Sequence, residues 1–88
     1  MNYLHYTVEA RPGELIAVTL SNRANVRLLD SLNYYKYKAG KKYDTTDGGE
    51  AMNSPVTMKA PYKAAWHVII DLGSAGGQVR ADVKVIKS

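Results

Sequence analysis

AAWHVIIDL, residues Ala64 to Leu72, decides the class of this fold. Trp66, Val68, Ile70 and Leu72 fall on one side of an extended chain, and Ala65, His67, Ile69 and Asp71 fall on the other. Alternation of this kind marks a strand, because a helix turns through about 100° per residue and would scatter the same residues around its circumference. Trp66 is in phase with Val68 and Ile70, which makes it a core side chain and not an exposed platform for a sugar.

The same period of two extends in both directions. Pro55 to Ala60 places Val56 and Met58 inward and Thr57 and Lys59 outward, and Pro61 ends the run. Gly73-Ser74-Ala75-Gly76-Gly77 reads as a hairpin loop leading into Gln78 to Ile86, where Val79, Ala81, Val83 and Val85 point in. Toward the start, Tyr3 to Val8 sets Leu4, Tyr6 and Val8 opposite Tyr3, His5 and Thr7, and Arg11-Pro12-Gly13 turns the chain. Glu14 to Leu20 offers Ile16, Val18 and Leu20; after Ser21-Asn22-Arg23, Ala24 to Asp30 offers Val26 and Leu28. Leu29 is apolar at an outward position, which predicts a loop lying over it.

These short runs, separated by turn residues, predict an all-β antiparallel sandwich of jelly-roll character, or a partly open barrel, with six to eight strands. The chain has 88 residues, the size of one domain, 1–88. It has no cysteine, which excludes disulfide staples, thiol catalysis and cysteine-based zinc sites. No run approaches the roughly 20 apolar residues that span a bilayer, and MNYLHYTVEA lacks the pattern of a signal peptide, so the expectation is a cytoplasmic protein with no membrane contact.

Residues 31–54 interrupt the pattern. Gly40, Gly48, Gly49, Asn53 and Ser54 punctuate a stretch with no sustained period, which reads as one long crossover loop. Asp30 or Ser31 is placed to cap a single helical turn through Tyr35, Lys41 to Thr46 reads as a short edge strand, and Asp47-Gly48-Gly49 reads as a tight turn. The net charge of +4 is concentrated here, because Lys36, Lys38, Lys41 and Lys42 match it in number. The crossover is expected to strap the open end of the sandwich, with tyrosine rings as pins and lysines in solvent.

Candidate ligand-binding residues are Tyr34, Tyr35, Lys36, Tyr37, Lys38, Lys41, Lys42 and Tyr43, joined by His67 on the polar face of the strongest strand. Basic side chains interleaved with aromatic rings can hold single-stranded nucleic acid, at about 1–3 kcal/mol per stacked base. Such rings usually line a sheet face or groove, so an unknown ligand or protein partner is the leading expectation and nucleic acid the alternative.

Catalytic sets are hard to assemble. The serines lie in no nucleophile elbow, and the glycines of TDGGE and DLGSAGG precede extended chain and not helices, so they are turns and not phosphate cradles. A metal needs three or four ligands, and His67 and Asp71 stand about 13 Å apart along one strand. His5 and His67 would meet only if strand pairing brought them together. The expectation is therefore a non-catalytic binding module with no cofactor and no metal, monomeric or weakly dimeric. A small hydrolase or lyase using His67 with a cross-strand carboxylate, Asp71 or Asp30, is the reading from another class. Self-association through an edge strand or an apolar outer patch of Leu15, Leu29 and Ile69 is a third.

NYLHY, ANVRLLDSLNYYKYKAGKKY, NSPVTMKAP and WHVIIDLGSAGGQVRADVKVI together resemble the bacterial family catalogued as domain of unknown function 1883. The resemblance covers nearly the whole chain. It implies a small β domain, found alone or ahead of a TIR signalling domain, and so a sensing or adaptor role; it implies no catalytic residues. Asp47 stands before the glycine pair where the family leads one to expect an aromatic residue. A looser likeness, in strand order only, is to the jelly-roll modules that bind sugars beside secreted hydrolases.

Overall fold

The structure is a computed structural model that describes residues 3–52, 54–73 and 77–87. Seven strands and one helix are formed among the described residues: β1 (Leu4–Ala10), β2 (Leu15–Leu20), β3 (Ala24–Leu29), α1 (Ser31–Lys38), β4 (Asp47–Ala51), β5 (Val56–Lys59), β6 (Ala64–Asp71) and β7 (Ala81–Ile86). They make two antiparallel sheets, one of four strands in the order β1-β6-β3-β4 and one of three in the order β5-β2-β7. The sheets do not close into a barrel, and the expected all-β sandwich is what forms.

Every strand connection except β3 to β4 passes from one sheet to the other. For that reason the glycine-rich segment after β6 is no hairpin loop: β6 pairs with β1 and β3, whereas β7 pairs with β2. Residues 74–76 of that segment lie outside the described residues.

AAWHVIIDL occupies the interior of the larger sheet, flanked by β1 on one side and β3 on the other. Its inward residues Trp66, Val68 and Ile70 are fully buried, with Ile16, Val18, Val26, Leu28 and Met58 around them. Leu4, Tyr6, Val8, Leu20, Val56, Val79, Val83 and Val85 pack at the margin of the same cluster. Each of these positions was in inward phase in the sequence. The additions are small residues, Ala10, Ala24, Ala51 and Ala60, which let the sheets and their connections approach closely where a larger side chain would not fit. The Trp66 indole donates to Tyr62 O at 3.1 Å, so its N–H is not stranded in the interior.

The stretch 31–54 departs from the expectations in three ways. The helix is two turns long, not one. Asp30 caps it by accepting from Asn33 N at 2.8 Å. Nothing in LNYYKYK breaks a helix, so it runs until Gly40, where φ is +75°. There Gly40 N donates to Tyr37 O at 3.1 Å and Lys41 N to Lys36 O at 2.8 Å, the paired bonds of a Schellman stop. Lys36 and Lys38 in the last turn face the negative end of the helix dipole.

Lys41 to Thr46 forms no strand; the edge strand is β4, made from the residues expected to turn. Gly48 lies opposite Arg27 at φ +131°, and a Cβ there would stand 2.1 Å from Val26 O, so only glycine lets β4 lie this close to β3. The third departure is position: α1 does not strap the end of the sandwich but lies on the outer face of the four-stranded sheet. Leu29 and Ile69, proposed above as part of an open self-association patch, are fully buried beneath it. Leu15 is half-buried on β2, in the other sheet.

Candidate interaction site

Strand alternation sends His5 and Thr7 of β1, His67, Ile69 and Asp71 of β6, and Asn25, Arg27 and Leu29 of β3 to the outer face of the larger sheet. α1 covers its middle. Tyr34, the buried residue of the helix, joins Leu29 and Ile69 in a small second core edged by Tyr3, Tyr37 and Tyr43. Tyr3 and Tyr37 meet edge-on at 5.3 Å, and Tyr37 and Tyr43 at 5.1 Å. Arg27 sits over the Tyr37 ring at 5.9 Å and forms an ion pair with Asp71. Asn25 also donates to Asp71, at 3.1 Å, and Gly73 N donates at 2.8 Å. Burial works against the Asp71 carboxylate, yet these donors and the Arg27 charge hold it below the usual range.

Beneath the first turn of α1 a chain of polar contacts runs across two strands. Ser31 Oγ lies 3.0 Å from His67 Nε2, His67 Nδ1 lies 2.8 Å from His5 Nε2, and Thr7 Oγ1 lies 3.3 Å from the same His5 nitrogen. The β1–β6 register makes this possible: Thr7 is opposite His67, which puts His5 on the diagonal. The Tyr34 ring stacks on both imidazoles, with centroids 4.1 Å from His5 and 4.6 Å from His67. Burial, then the charge of Lys38, holds His5 below its ordinary value; burial, then His5, does the same for His67.

His67 therefore bonds a hydroxyl and an imidazole, not a carboxylate. Asp71 is engaged with Arg27, and Asp30 with Asn33 and with the Tyr62 hydroxyl at 3.1 Å. No group of three or more candidate metal ligands occurs among the described residues.

The candidate residues divide into two sets. Tyr34, Tyr37, Tyr43 and His67 converge on the inner side of α1. Tyr35, Lys38, Lys41 and Lys42 are exposed, and Lys36 is half-buried. Tyr35 is 64% exposed, and Leu32, one turn earlier and passed over in the sequence, is 63% exposed. His5 was weighed only as a histidine that strand pairing would have to bring to His67, which the β1–β6 register does, and Ser31 only as a helix cap; Thr7 was passed over, and the outward phase it shares with His5 and His67 was the available signal.

A separate cleft of about 870 Å³ opens at one end of the sandwich, between the start of β1, residues 21–22, the end of β6 and residues 77–80. No described residue of the crossover lines it. No helix among the described residues is long and apolar enough to cross a membrane.

The protein is thus a two-sheet β-sandwich whose larger sheet carries a short aromatic helix on its outer face. It belongs to the family described as Domain of unknown function (DUF1883), whose model matches residues 1–88. Searches of curated proteins and of solved structures found no match.

Proposed function

We propose that this chain is a non-catalytic interaction module, of a sensing or adaptor kind, that docks through the outer surface of α1 and the basic segment behind it onto an acidic protein partner. The observation that supports this reading is the pair Leu32 and Tyr35, left 63% and 64% exposed on a helix whose other tyrosines hold it to the sheet. A tyrosine and a leucine one turn apart are neighbours on a helix surface, and an aromatic anchor on a fixed element is the usual centre of a binding hot spot. Lys36, Lys38, Lys41 and Lys42 follow directly in the chain and supply the charge that steers an acidic partner.

Single-stranded nucleic acid is less well served, because stacking successive bases needs several free rings. Tyr34, Tyr37 and Tyr43 pack against the sheet and one another, which leaves Tyr35 outward among the four. With Leu29 and Ile69 covered, the module works as a monomer or weak dimer. It needs no metal or cofactor in this role.

The test is an NMR titration with an acidic, leucine-containing peptide and, in parallel, a single-stranded oligonucleotide. The peptide is expected to shift the amides of Leu32, Tyr35 and the four lysines, and charge reversal at Lys38 and Lys41 to abolish the effect. Absence of these shifts at low salt, or tighter binding of the oligonucleotide, overturns the reading.

The cleft at the sandwich end favours a second reading, a small ligand held between the sheets, since about 300–1,000 Å³ is the usual size of such a site. A thermal-shift screen of nucleotides, sugars and metabolite acids tests it. A ligand present at a hundred times its dissociation constant adds about 2.7 kcal/mol of stability.

A further inference from the structure

His5 and His67 come from different strands, and a single nitrogen-to-nitrogen contact of 2.8 Å joins them. In the neutral pair, one imidazole N–H donates to the lone pair of the other. One added proton is tolerated, because an imidazolium still donates to a neutral imidazole. A second added proton removes the last lone pair between the rings and sets two like charges against each other. α1 rests on this pair at two points: Ser31 Oγ contacts His67 at 3.0 Å, and the Tyr34 ring lies over both imidazoles.

We propose that the His5–His67 contact is an acid-released latch on α1: the second proton drives the two rings apart, opens the stack beneath Tyr34 and loosens α1 from the sheet while the sandwich stays folded.

The charges around the pair act on both rings. Asp30, at the cap of α1, favours a charged His67, whereas Lys38, from the end of the helix, opposes a charged His5. At His67 the repulsion from His5 comes ahead of the pull of Asp30, so the two rings compete for one proton and a second is opposed at both. The Tyr34 hydroxyl is pushed up to about 12, first by its hydrogen bond with Tyr3, so it brings no negative charge to compensate. Ser31 and Thr7 contribute neutral hydroxyls.

Both imidazoles lie below their ordinary value of 6.5 in the closed form, burial being the first cause in each, so the open form binds more protons at intermediate pH. The histidine contribution to closure is thus complete above about pH 6.5 and is lost as pH falls through the lowered values. Asp30 itself is held below 3.8, chiefly by Asn33 N, so the cap of α1 survives across that window. Once released, a helix of eight residues is too short to persist alone, so opening registers as fraying.

Amide hydrogen-exchange protection factors, compared at about pH 7.5 and about pH 4.5 on the free protein, test the latch. Because both paired values lie below 6.5, the opening equilibrium rises as pH falls, so protection in α1 is expected to be lower at the acid pH than at about pH 7.5. Amides of β2 and β6 are expected to hold. His5→Gln and His67→Gln each leave one imidazole with a neutral partner, and both are expected to flatten the fall.

Equal α1 protection at the two pH values, a fall retained in both variants, or a parallel loss in β2 and β6 would each overturn the latch. Its consequence for docking, the loosening of the Leu32 and Tyr35 surface, rests on the function proposed above. The two are separable: failure of the peptide titration removes the docking surface and leaves the exchange result standing.

Discussion

The four-stranded sheet has a cluster of buried side chains on each face, and the two are built from opposite materials. On the inner face Trp66, Val68, Ile70, Val26 and Leu28 meet Ile16, Val18 and Met58 of the second sheet, with no charged group in the cluster. On the outer face Leu29, Ile69 and Tyr34 form a small patch among tyrosine hydroxyls, two imidazoles and the Arg27–Asp71 pair. Each fully buried aliphatic side chain contributes about 1.5–3 kcal/mol, so the inner cluster, with more of them, carries most of the global stability, and the outer one adds a smaller share and holds the segment lying on it. The fold is expected to change state differently on its two faces: opening the inner cluster unfolds the sandwich, whereas opening the outer one frees α1.

Emptying the inner cluster has the largest expected effect. Trp66→Ala is expected to cost about 3–5 kcal/mol by urea denaturation, with β-sheet and helix lost together. Next comes the ion pair at the border of the outer patch. Asp71→Ala leaves Arg27 without its carboxylate and Asn25 and Gly73 N without their acceptor, for an expected cost of about 2–3 kcal/mol in the same measurement.

Asp30→Ala is expected to cost about 1 kcal/mol through the lost cap, with the effect confined to exchange of α1 amides. Tyr35→Ala, on the solvent side, is expected to change stability by less than about 0.5 kcal/mol while weakening the acidic peptide, a split that calorimetry reads in one sample. Should Asp30→Ala lower the protection of β6 as much as that of α1, the two faces are one cooperative unit.

The inner face was legible in the sequence because burial on one side of a strand imposes alternation, and Trp66, Val68 and Ile70 carry it plainly. Even Leu29 announced that something covers it. The outer face was hard to read for physical reasons. α1 is held by tyrosines at 34 and 37, one turn apart, and not by an aliphatic stripe, so its period was short and faint; the Asp30 cap and the Gly40 stop were its best signals.

β4 has almost no side chains to alternate, since Gly48 and Gly49 serve the close approach to β3 and resemble a turn when read alone. The site depends on pairing. His5 and His67 stand 62 residues apart, and only the register of β1 on β6 makes them neighbours. Sequence reasoning gathered Tyr34, Tyr35 and Tyr37 into one surface, but a helix points consecutive residues in different directions, which sends Tyr35 to solvent and Tyr34 to the sheet.

The central claim is that α1 is a weaker unit resting on a stronger one. Native-state hydrogen exchange across a series of sub-denaturing urea concentrations addresses it most directly. The Tyr34 amide, bonded to Asp30 O, and the Ala39 amide, bonded to Tyr35 O, report the helix; amides of β6 report the sandwich. The account predicts that the helix amides exchange through a small opening nearly independent of urea, while those of β6 follow global unfolding. Helix and sheet amides that share one free energy and one urea dependence would contradict it.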